Sequence, residues 1–254
     1  MAIELYNKIN HVCMMFEDLV DSKSDAVQAN QFLIASDGHL AVLDPGGNMT
    51  YNAIYMEKNR HFSGQKLDYV LASHADPDIV ASLNKWLVQT DCKLIVPQLW
   101  ARFVPHFCTG STEGRIIGIP DEGMNIKLGS NIIKAIPAHF LHSEGNFQFY
   151  DPISKILFSG DMGASMVDHS TIVEPVTDFD AHLPNMLGFH QRYMSSNKVC
   201  SLWVNMVRQL DIDWIVPQHG RSFRGKVMVT KFLDWVEKLE CGVDLMTQDN
   251  YKLP

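Results

Sequence analysis

Short apolar runs separated by turn residues recur along most of the chain and predict β-strands. The run at 31–36 (QFLIAS) is followed by Asp37-Gly38 and a second run at 39–43 (HLAVL). Asp-Gly between two such runs predicts a β-hairpin with a two-residue turn. The other predicted strands lie within residues 66–74, 93–97, 131–143, 146–151, 155–161 and 213–220.

A second spacing, with apolar residues three and four positions apart, interrupts the strands and predicts helices. The first predicted helix covers 78–90, where Ile79, Leu83, Trp86 and Leu87 follow this spacing. The others cover 98–107, a stretch around 182–210, and 227–240. Because helices and strands alternate within each half of the chain, the pattern predicts an α/β layered fold. No repeat or long linker divides it, so a single domain over residues 1–254 is expected.

The composition excludes several classes of partner. The formal net charge is −8, so no general attraction to nucleic acid or to an anionic membrane is expected. No apolar stretch reaches the about 20 residues that cross a bilayer, and the N-terminus does not resemble a signal peptide. The cysteines are odd in number and scattered, at Cys13, Cys92, Cys108, Cys200 and Cys241. We therefore expect a cytoplasmic protein with buried thiols, and neither a disulfide framework nor a thiolate zinc site.

Histidine and aspartate residues collect where the predicted strands end. They are His74, Asp76 and Asp78 after DYVLAS; His139 and His142 in IPAHFLHSEGNF; Asp161 in ILFSGD; and His219 in WIVPQHG. For the first group alone, a polar turn whose aspartates cap the following helix is an equal alternative to a metal site. Because such groups recur at four strand ends, which α/β folds bring together, the metal site is favoured. Imidazole with carboxylate suits Zn, Mn or non-haem Fe, and one bridging carboxylate would make the site binuclear.

The order of these residues resembles the metallo-β-lactamase superfamily, which implies a four-layer αββα sandwich with metal ions at one edge. Hydrolases of that superfamily carry His-x-His-x-Asp-His, whereas this chain reads H-A-D-P-D-I. An acidic residue in the place of Asp76 is similar to the flavodiiron branch, as are FLHSEGNFQFY and the SGD that ends in Asp161. HFLHS followed by GN resembles the stand-alone oxygen-binding di-iron proteins related to that branch. The hairpin at 31–47 resembles the opening strands of the superfamily, where the region of Asp44 helps to shape the site.

The resemblance implies two carboxylate-bridged iron ions. His74, Asp76 and His142 would hold one ion, Asp78 and His219 the other, and Asp161 would bridge them. Asp76 is one methylene shorter than the family's glutamate, and Ile79 replaces a final histidine and cannot ligate. His139 is the alternative to His142 as a ligand, because the hydrolase motif places a ligand in a Pro-x-His context like IPAH. We prefer His142, whose downstream stretch to Asp161 matches the di-iron pattern better, so that His139 would lie behind the ligands or in the pocket. Ile79 would make the surroundings of the second ion apolar. We expect His182 and His190, on the predicted helix around 182–210, to be solvent-facing or behind the ligands. Tyrosine or tryptophan side chains near the mouth could donate hydrogen bonds to a bound molecule, but the sequence does not place Tyr193 or Trp203 there.

The resemblance implies a protein that binds dioxygen as a sensor or carrier in signalling. Neither a flavodoxin nor a rubredoxin domain is recognisable in 1–254, so no FMN is expected. Two ferrous ions supply only two of the four electrons that reduce dioxygen to water. The first alternative is an oxygen or nitric oxide reductase that receives electrons from a separate partner. The second is a binuclear metallohydrolase with a metal-bound hydroxide. A signalling partner protein is implied, and the sequence leaves a homodimer open.

Overall fold

The computed structural model describes residues 2–17, 19–20, 26–168 and 171–253. Within these ranges the first seven strands form one sheet, whose spatial order follows the chain. The first four strands pair antiparallel, and the fourth to seventh pair parallel. The strands are β1 (Ala2–Lys8), β2 (His11–Phe16), β3 (Gln31–Ser36), β4 (His39–Leu43), β5 (Lys66–Leu71), β6 (Lys93–Pro97) and β7 (Ile116–Ile119).

The second sheet contains the remaining described strands in the order β13-β12-β11-β10-β9-β8. All of its neighbours pair antiparallel except β11 and β12, which are parallel. The strands are β8 (Met124–Leu128), β9 (Asn131–Pro137), β10 (Phe147–Asp151), β11 (Ile156–Phe158), β12 (Trp214–Val216) and β13 (Phe223–Arg224).

Helices cover the outer face of each sheet. Those on the first sheet are α1 (Tyr51–His61), α2 (Pro77–Val80), α3 (Leu83–Gln89) and α4 (Gln98–Ala101). Those on the second are α5 (Phe179–His182), α6 (Pro184–Tyr193), α7 (Asn197–Val207) and α8 (Lys226–Glu237). Short 3₁₀ turns cover Val104–Phe107, Gly242–Leu245 and Gln248–Asn250. No helix in the described ranges is long and apolar enough to span a membrane.

The alternation of side chains along β3 explains why this architecture has four layers. Phe32 and Ile34 point into the core between the two sheets, where Phe32 packs against Phe158 with ring centroids 4.9 Å apart. Leu33 and Ala35 point the other way, into the core beneath the helices. Both faces of the strand are therefore buried, as its continuous apolar run predicts. The predicted four-layer αββα sandwich is confirmed.

The strand and helix predictions are correct in kind but not always in extent. The hairpin of β3 and β4 forms, with positive φ at Asp37 and Gly38. The helix predicted over 78–90 is divided into α2 and α3, because the amide of Ser82 donates to the carbonyl of Gly46 instead of continuing the helix. The stretch at 98–107 is α4 followed by a 3₁₀ turn, and that around 182–210 is divided into α5, α6 and α7.

The strand predicted over 131–143 is wrong beyond Pro137. Pro137 pairs with Phe147 as the last residue of β9, and residues 138–146 form a loop between β9 and β10. The amide of Ala138 donates to the carbonyl of Asn146, which closes the base of this loop. The loop carries both His139 and His142 and leaves their side chains free to diverge.

Candidate metal centre

Six predicted ligands meet at one edge of the two sheets. His74, Asp76 and Asp78 follow β5, and His142 lies in the loop between β9 and β10. Asp161 follows β11 and His219 follows β12. Residues far apart in sequence therefore share an edge because their strands end there. The members of the set are His74, Asp76, Asp78, His142, Asp161 and His219.

The polar-turn alternative fails at Asp76. This residue occupies the N-cap position of α2, with φ −68° and ψ 146°. Its carboxylate nevertheless accepts no capping hydrogen bond from the described residues. The side chain points instead towards His142 and His74, with Oδ2 3.4 Å and 3.8 Å from their Nε2 atoms. Asp76 is thus available to an ion rather than used by the helix.

The first half of the centre is formed by His74, Asp76, His142 and one oxygen of Asp161. One ligand atom from each of these four residues lies within 4.8 Å of all the others. Oδ2 of Asp161 is 2.8 Å from Nε2 of His142 and 4.0 Å from Nε2 of His74. The rings of His74 and His142 meet edge to face, with centroids 5.1 Å apart. Two imidazoles and two carboxylates therefore converge on one point.

The second half uses the other oxygen of Asp161. Nε2 of His219 lies 3.4 Å from Asp161 Oδ1 and 3.5 Å from Asp78 Oδ2. Asp161 thus turns Oδ2 towards one group of ligands and Oδ1 towards the other. This is the arrangement that a carboxylate needs in order to bridge two ions.

The histidines are oriented by hydrogen bonds on the far side of their rings. Nδ1 of His219 lies 2.8 Å from the carbonyl oxygen of Gln28, which fixes Nδ1 as the protonated nitrogen. Nδ1 of His74 lies 2.9 Å from the hydroxyl of Ser73. In both residues Nε2 is left facing the carboxylates, as in metal-binding histidines whose other nitrogen is hydrogen-bonded.

An unpartnered atom supports the fit of a metal ion. Nε2 of His74 is buried and has no hydrogen-bond partner among the described residues. Its nearest carboxylate oxygens, on Asp76 and Asp161, are 3.8 Å and 4.0 Å away. These gaps are too long for hydrogen bonds but leave room for an ion between the ligands. Nitrogen and oxygen donors of this type suit iron, zinc or manganese.

The charges of the centre are strongly coupled. Burial alone would raise the pKa of Asp161, but the adjacent imidazoles of His142 and His219 outweigh burial and hold this pKa well below its usual value. Burial opposes protonation of His219, yet the contact with Asp161 raises its pKa to about 9. Burial raises the pKa of Asp78, and the charge of His219 only partly offsets this. Positive charge on His219 thus occupies a place that a cation would take.

Asp44 lies behind the candidate metal centre and binds the backbone next to His74. Its side chain is fully buried, and Oδ1 accepts a hydrogen bond of 2.7 Å from the amide of Ser73, next to His74. Burial raises the pKa of Asp44 to about 6, although the nearby His74 acts in the opposite direction. Asp44 therefore helps to fix the backbone that presents His74.

A cavity of about 520 Å³ opens over the ligands. Tyr193 lines its mouth, with its ring 5.6 Å from that of His142 and stacked on Phe189 at 4.6 Å. Trp203 lies elsewhere, in the core of the second sheet, where Nε1 donates to Gln148 over 2.9 Å. Of the two aromatic candidates, only Tyr193 lies near the ligands.

Two further predicted residues lie apart from the ligands. Nε2 of His139 is 2.8 Å from the carbonyl oxygen of Asp121, and its ring packs edge-on against Phe147. Ile79 is completely buried in the core under the helices of the first sheet and does not line the cavity. Its replacement of a histidine therefore bears on packing, and the apolar lining comes from residues such as Phe189.

His182 and His190 are not solvent-facing. His190 is fully buried on α6, where Nδ1 lies 2.9 Å from the carbonyl of Met186 and Nε2 accepts a hydrogen bond of 2.9 Å from the amide of Gly163. It thereby holds the loop that presents Asp161. Burial lowers the pKa of His190 to about 4, so the imidazole is neutral. This place behind the ligands is one of the two that the sequence predicts, and Met186 and His190 lie four positions apart on one buried helix face.

Comparisons with known proteins identify relatives of this chain. A family model described as "ODP family beta lactamase" matches residues 27–220. A solved structure described as the apo state of the chemotaxis sensor ODP from T. denticola is 38% identical, covers 99% of both chains and has a TM-score of 0.84. A second, described as a peroxy diiron species of the chemotaxis sensor ODP, is 39% identical with the same coverage and a TM-score of 0.86.

A more distant solved structure shows the fold alone, and two curated sequences match part of the chain. Rubredoxin oxygen:oxidoreductase from Desulfovibrio gigas has a TM-score of 0.74 at 14% identity, over 89% of this chain and 59% of that one. Two uncharacterized proteins of Methanocaldococcus jannaschii are 22% and 23% identical over 217 and 173 residues, or 81% and 67% of this chain. This chain spans only 52% and 43% of their lengths.

Proposed function

The chain belongs to the ODP family of β-lactamase-fold proteins, and from this premise we propose that it is a non-haem di-iron protein that binds dioxygen as a sensor in signalling. One observation carries the proposal for this chain's own residues. The two oxygens of Asp161 face two separate groups of histidine and aspartate ligands. That geometry suits two ions sharing a carboxylate, and it is built from nitrogen and oxygen donors without a thiolate.

We assign His74, Asp76 and His142 to one iron, Asp78 and His219 to the other, and Asp161 to both. Ferrous iron held by such ligands supplies redox electrons and open coordination positions for a diatomic gas. Within this arrangement Ser73 and the carbonyl of Gln28 orient the imidazoles. The three carboxylates add negative charge that favours the ferric over the ferrous state.

The surroundings of the ligands favour a small neutral molecule. Apolar side chains, among them Val20, Met49 and Phe189, line the cavity together with the carboxylates. Two divalent ions would outweigh the charge of Asp76, Asp78 and Asp161, so charge alone does not choose between substrates. The apolar part of the lining supports binding of a small uncharged gas over hydrolysis of a phosphoester.

A signalling partner, a cytoplasmic location and a homodimer are parts of the same proposal, as is a single metallo-β-lactamase-like domain over 1–254 without FMN. Segments next to Asp161 and His219, together with α6, line a neighbouring cavity of about 1060 Å³. A change in ligand geometry would reach this surface first, because Phe189 and Tyr193 of α6 contact the His142 ring while His190 holds the Asp161 loop. We expect the partner to respond to that surface.

The proposal is tested by loading the protein anaerobically with ferrous iron, admitting dioxygen and following visible absorption and oxygen uptake. We expect about two irons per chain, about one dioxygen per iron pair, and a coloured species that persists for minutes. Failure to bind iron or to change colour would contradict the proposal and favour a zinc hydrolase. Oxygen consumption that continues when a reductant and an electron-transfer protein are added would favour the reductase.

Paired variants identify the site in this experiment. His142→Ala removes an assigned ligand and should abolish the coloured species. His61→Ala removes a surface histidine that pairs with Glu57 and should leave it unchanged. Equal behaviour of the two variants would place the iron elsewhere.

A further inference from the structure

A second cluster of metal-binding side chains lies at the opposite edge of the sandwich. It consists of His11 and Cys13 on β2 and Asp151 at the end of β10. The start of β10 lies beside the candidate metal centre, where the amide of Phe147 donates to the carbonyl of Ser73. Asp151 is at the other end of that strand, about 13 Å away at the rise of an extended chain. The cluster therefore joins the two sheets far from the predicted iron ligands.

The distances within the cluster suit a tetrahedral ion. Sγ of Cys13 is 3.4 Å from Asp151 Oδ2 and 3.7 Å from His11 Nε2, and the two latter atoms are 2.8 Å apart. Around zinc, with bonds of about 2.3 Å to sulfur and about 2.0 Å to nitrogen or oxygen, neighbouring ligand atoms lie about 3.3 to 3.6 Å apart. Only the His11–Asp151 pair would have to separate, by about half an ångström.

Hydrogen bonding alone gives this cluster an incomplete explanation. Oδ2 of Asp151 is approached by His11 Nε2, Cys13 Sγ, the amide of Ser154 and the hydroxyl of Ser154. A carboxylate oxygen offers about two lone-pair directions, fewer than these four contacts. An ion reduces these four contacts to three, because the imidazole and the thiolate then act as ligands and only the Ser154 groups donate. Nδ1 of His11 is buried and has no hydrogen-bond partner among the described residues. It would lack one with or without an ion, so it does not distinguish a metal site from a hydrogen-bonded cluster.

The burial and the charge of the cluster also favour a bound ion. The exposed fractions of His11, Cys13 and Asp151 are 2%, 0% and 0%. A divalent cation would bind Cys13 as the thiolate, since a coordinating thiol loses its proton outright. The thiolate and the carboxylate together would then neutralise the ion inside the protein.

We propose that His11, Cys13 and Asp151 bind a divalent transition-metal ion, with zinc as the expected species. The ion clamps β2 of the first sheet to β10 of the second. Its sulfur, nitrogen and oxygen donors match the ligands that zinc accepts in tetrahedral sites, and a fourth position remains for water or a hydroxyl group. No such site was expected from the sequence, because Asp151 lies 138 residues beyond Cys13.

Cobalt(II) in place of zinc tests the proposal by spectroscopy. The protein is produced in cells grown with cobalt, purified anaerobically, and examined for thiolate-to-cobalt charge-transfer absorption in the near ultraviolet. None of the six ligands assigned to the candidate metal centre is a cysteine, so this absorption reports only a thiolate site. We expect the wild type to show this absorption. Cys13→Ala should lose the absorption and also about one bound cobalt per chain.

Two control variants make the outcome decisive. Cys92→Ala removes another buried cysteine, whose thiol lies near the carbonyl of Trp86, and should keep the near-ultraviolet absorption and the bound cobalt. Asp161→Ala disrupts the candidate metal centre and should keep the thiolate absorption. Absence of that absorption in the wild type, or its survival in Cys13→Ala, would overturn the proposal. The wild-type spectrum alone can overturn the proposal, so the test does not depend on whether a variant folds.

Discussion

The protein gathers histidine and aspartate at both edges of its sandwich but builds the two clusters differently. At the candidate metal centre every ligand lies on a loop or a helix start and most of them face a cavity. At the opposite edge His11, Cys13 and Asp151 lie within strands and are closed to solvent. Loops can adjust to an exchanging ligand, whereas strands fix a distance. The first cluster thus suits a reactive site and the second a structural one.

The largest effect should come from removing Asp161, because both halves of the candidate metal centre depend on it. In Asp161→Ala we expect the iron content to fall from about two ions per chain to one or none, with affinity reduced by at least about 100-fold. Elemental analysis and an iron titration measure both quantities. Asp68→Ala, which removes a carboxylate that pairs with His39 and Lys66, should retain both irons. Full occupancy in Asp161→Ala would remove the basis for the bridged site.

A substitution in the cluster of His11, Cys13 and Asp151 should change the stability of the protein rather than its iron content. Asp151→Asn leaves His11 without its buried partner and should lower the free energy of unfolding by about 3 kcal/mol, as for other broken buried ion pairs. Urea unfolding of the metal-free protein measures this, and iron binding should remain close to wild type. Asp211→Asn, at an exposed site between Lys155 and Lys226, should leave the midpoint nearly unchanged. If Asp151→Asn instead lost iron, the two edges would not be independent.

The pH dependence of the free energy of unfolding should report on His190, which lies behind Asp161, rather than on the metal ligands. The pKa of His190 is lowered to about 4 by burial, whereas in the unfolded chain it is about 6.5. Stability is therefore complete above about pH 6.5 and declines as the pH falls towards 4, by up to about 3 kcal/mol from this residue. His190→Gln should flatten that decline in the metal-free protein. His182, whose pKa is also lowered to about 4, remains in both proteins and cancels from the difference. An identical pH profile in the variant would contradict the neutral buried imidazole.

The ligands of the candidate metal centre are easier to predict from the sequence than the residues that hold them in place. His74, Asp161 and His219 each follow an apolar strand, so their meeting at one edge could be predicted from the strands alone. His139 and His142 follow the same strand, and only the turn after Pro137 separates them: His142 points to Asp161 and His139 to Asp121. Pattern alone could not choose between them.

The elements that sequence analysis missed have weak local signals. β1 is mostly exposed or partly exposed, so apolar alternation hardly marks it. The contact of Cys13 with Asp151 joins residues 138 positions apart, without any short spacing motif. The burial of His190 depends on packing against Trp235 of α8, with ring centroids 5.0 Å apart. The last two are tertiary contacts that composition and periodicity do not encode.

The smallest expected effect concerns Asp76 and tests how adjustable the open edge is. Its side chain makes no capping bond and is 43% exposed, so the cavity has room for one more methylene group. Asp76→Glu should keep both irons and change the affinity by less than about tenfold, because the longer side chain can retract from His142.

Asp78→Glu is the matched control, since Asp78 is more enclosed and its Oδ2 lies 3.5 Å from His219. The same methylene should be tolerated less well there and lower the occupancy of one ion. A competitive iron titration of the two variants measures the difference. If Asp76→Glu lost an iron while Asp78→Glu kept both, the open edge would be more rigid than its loops suggest.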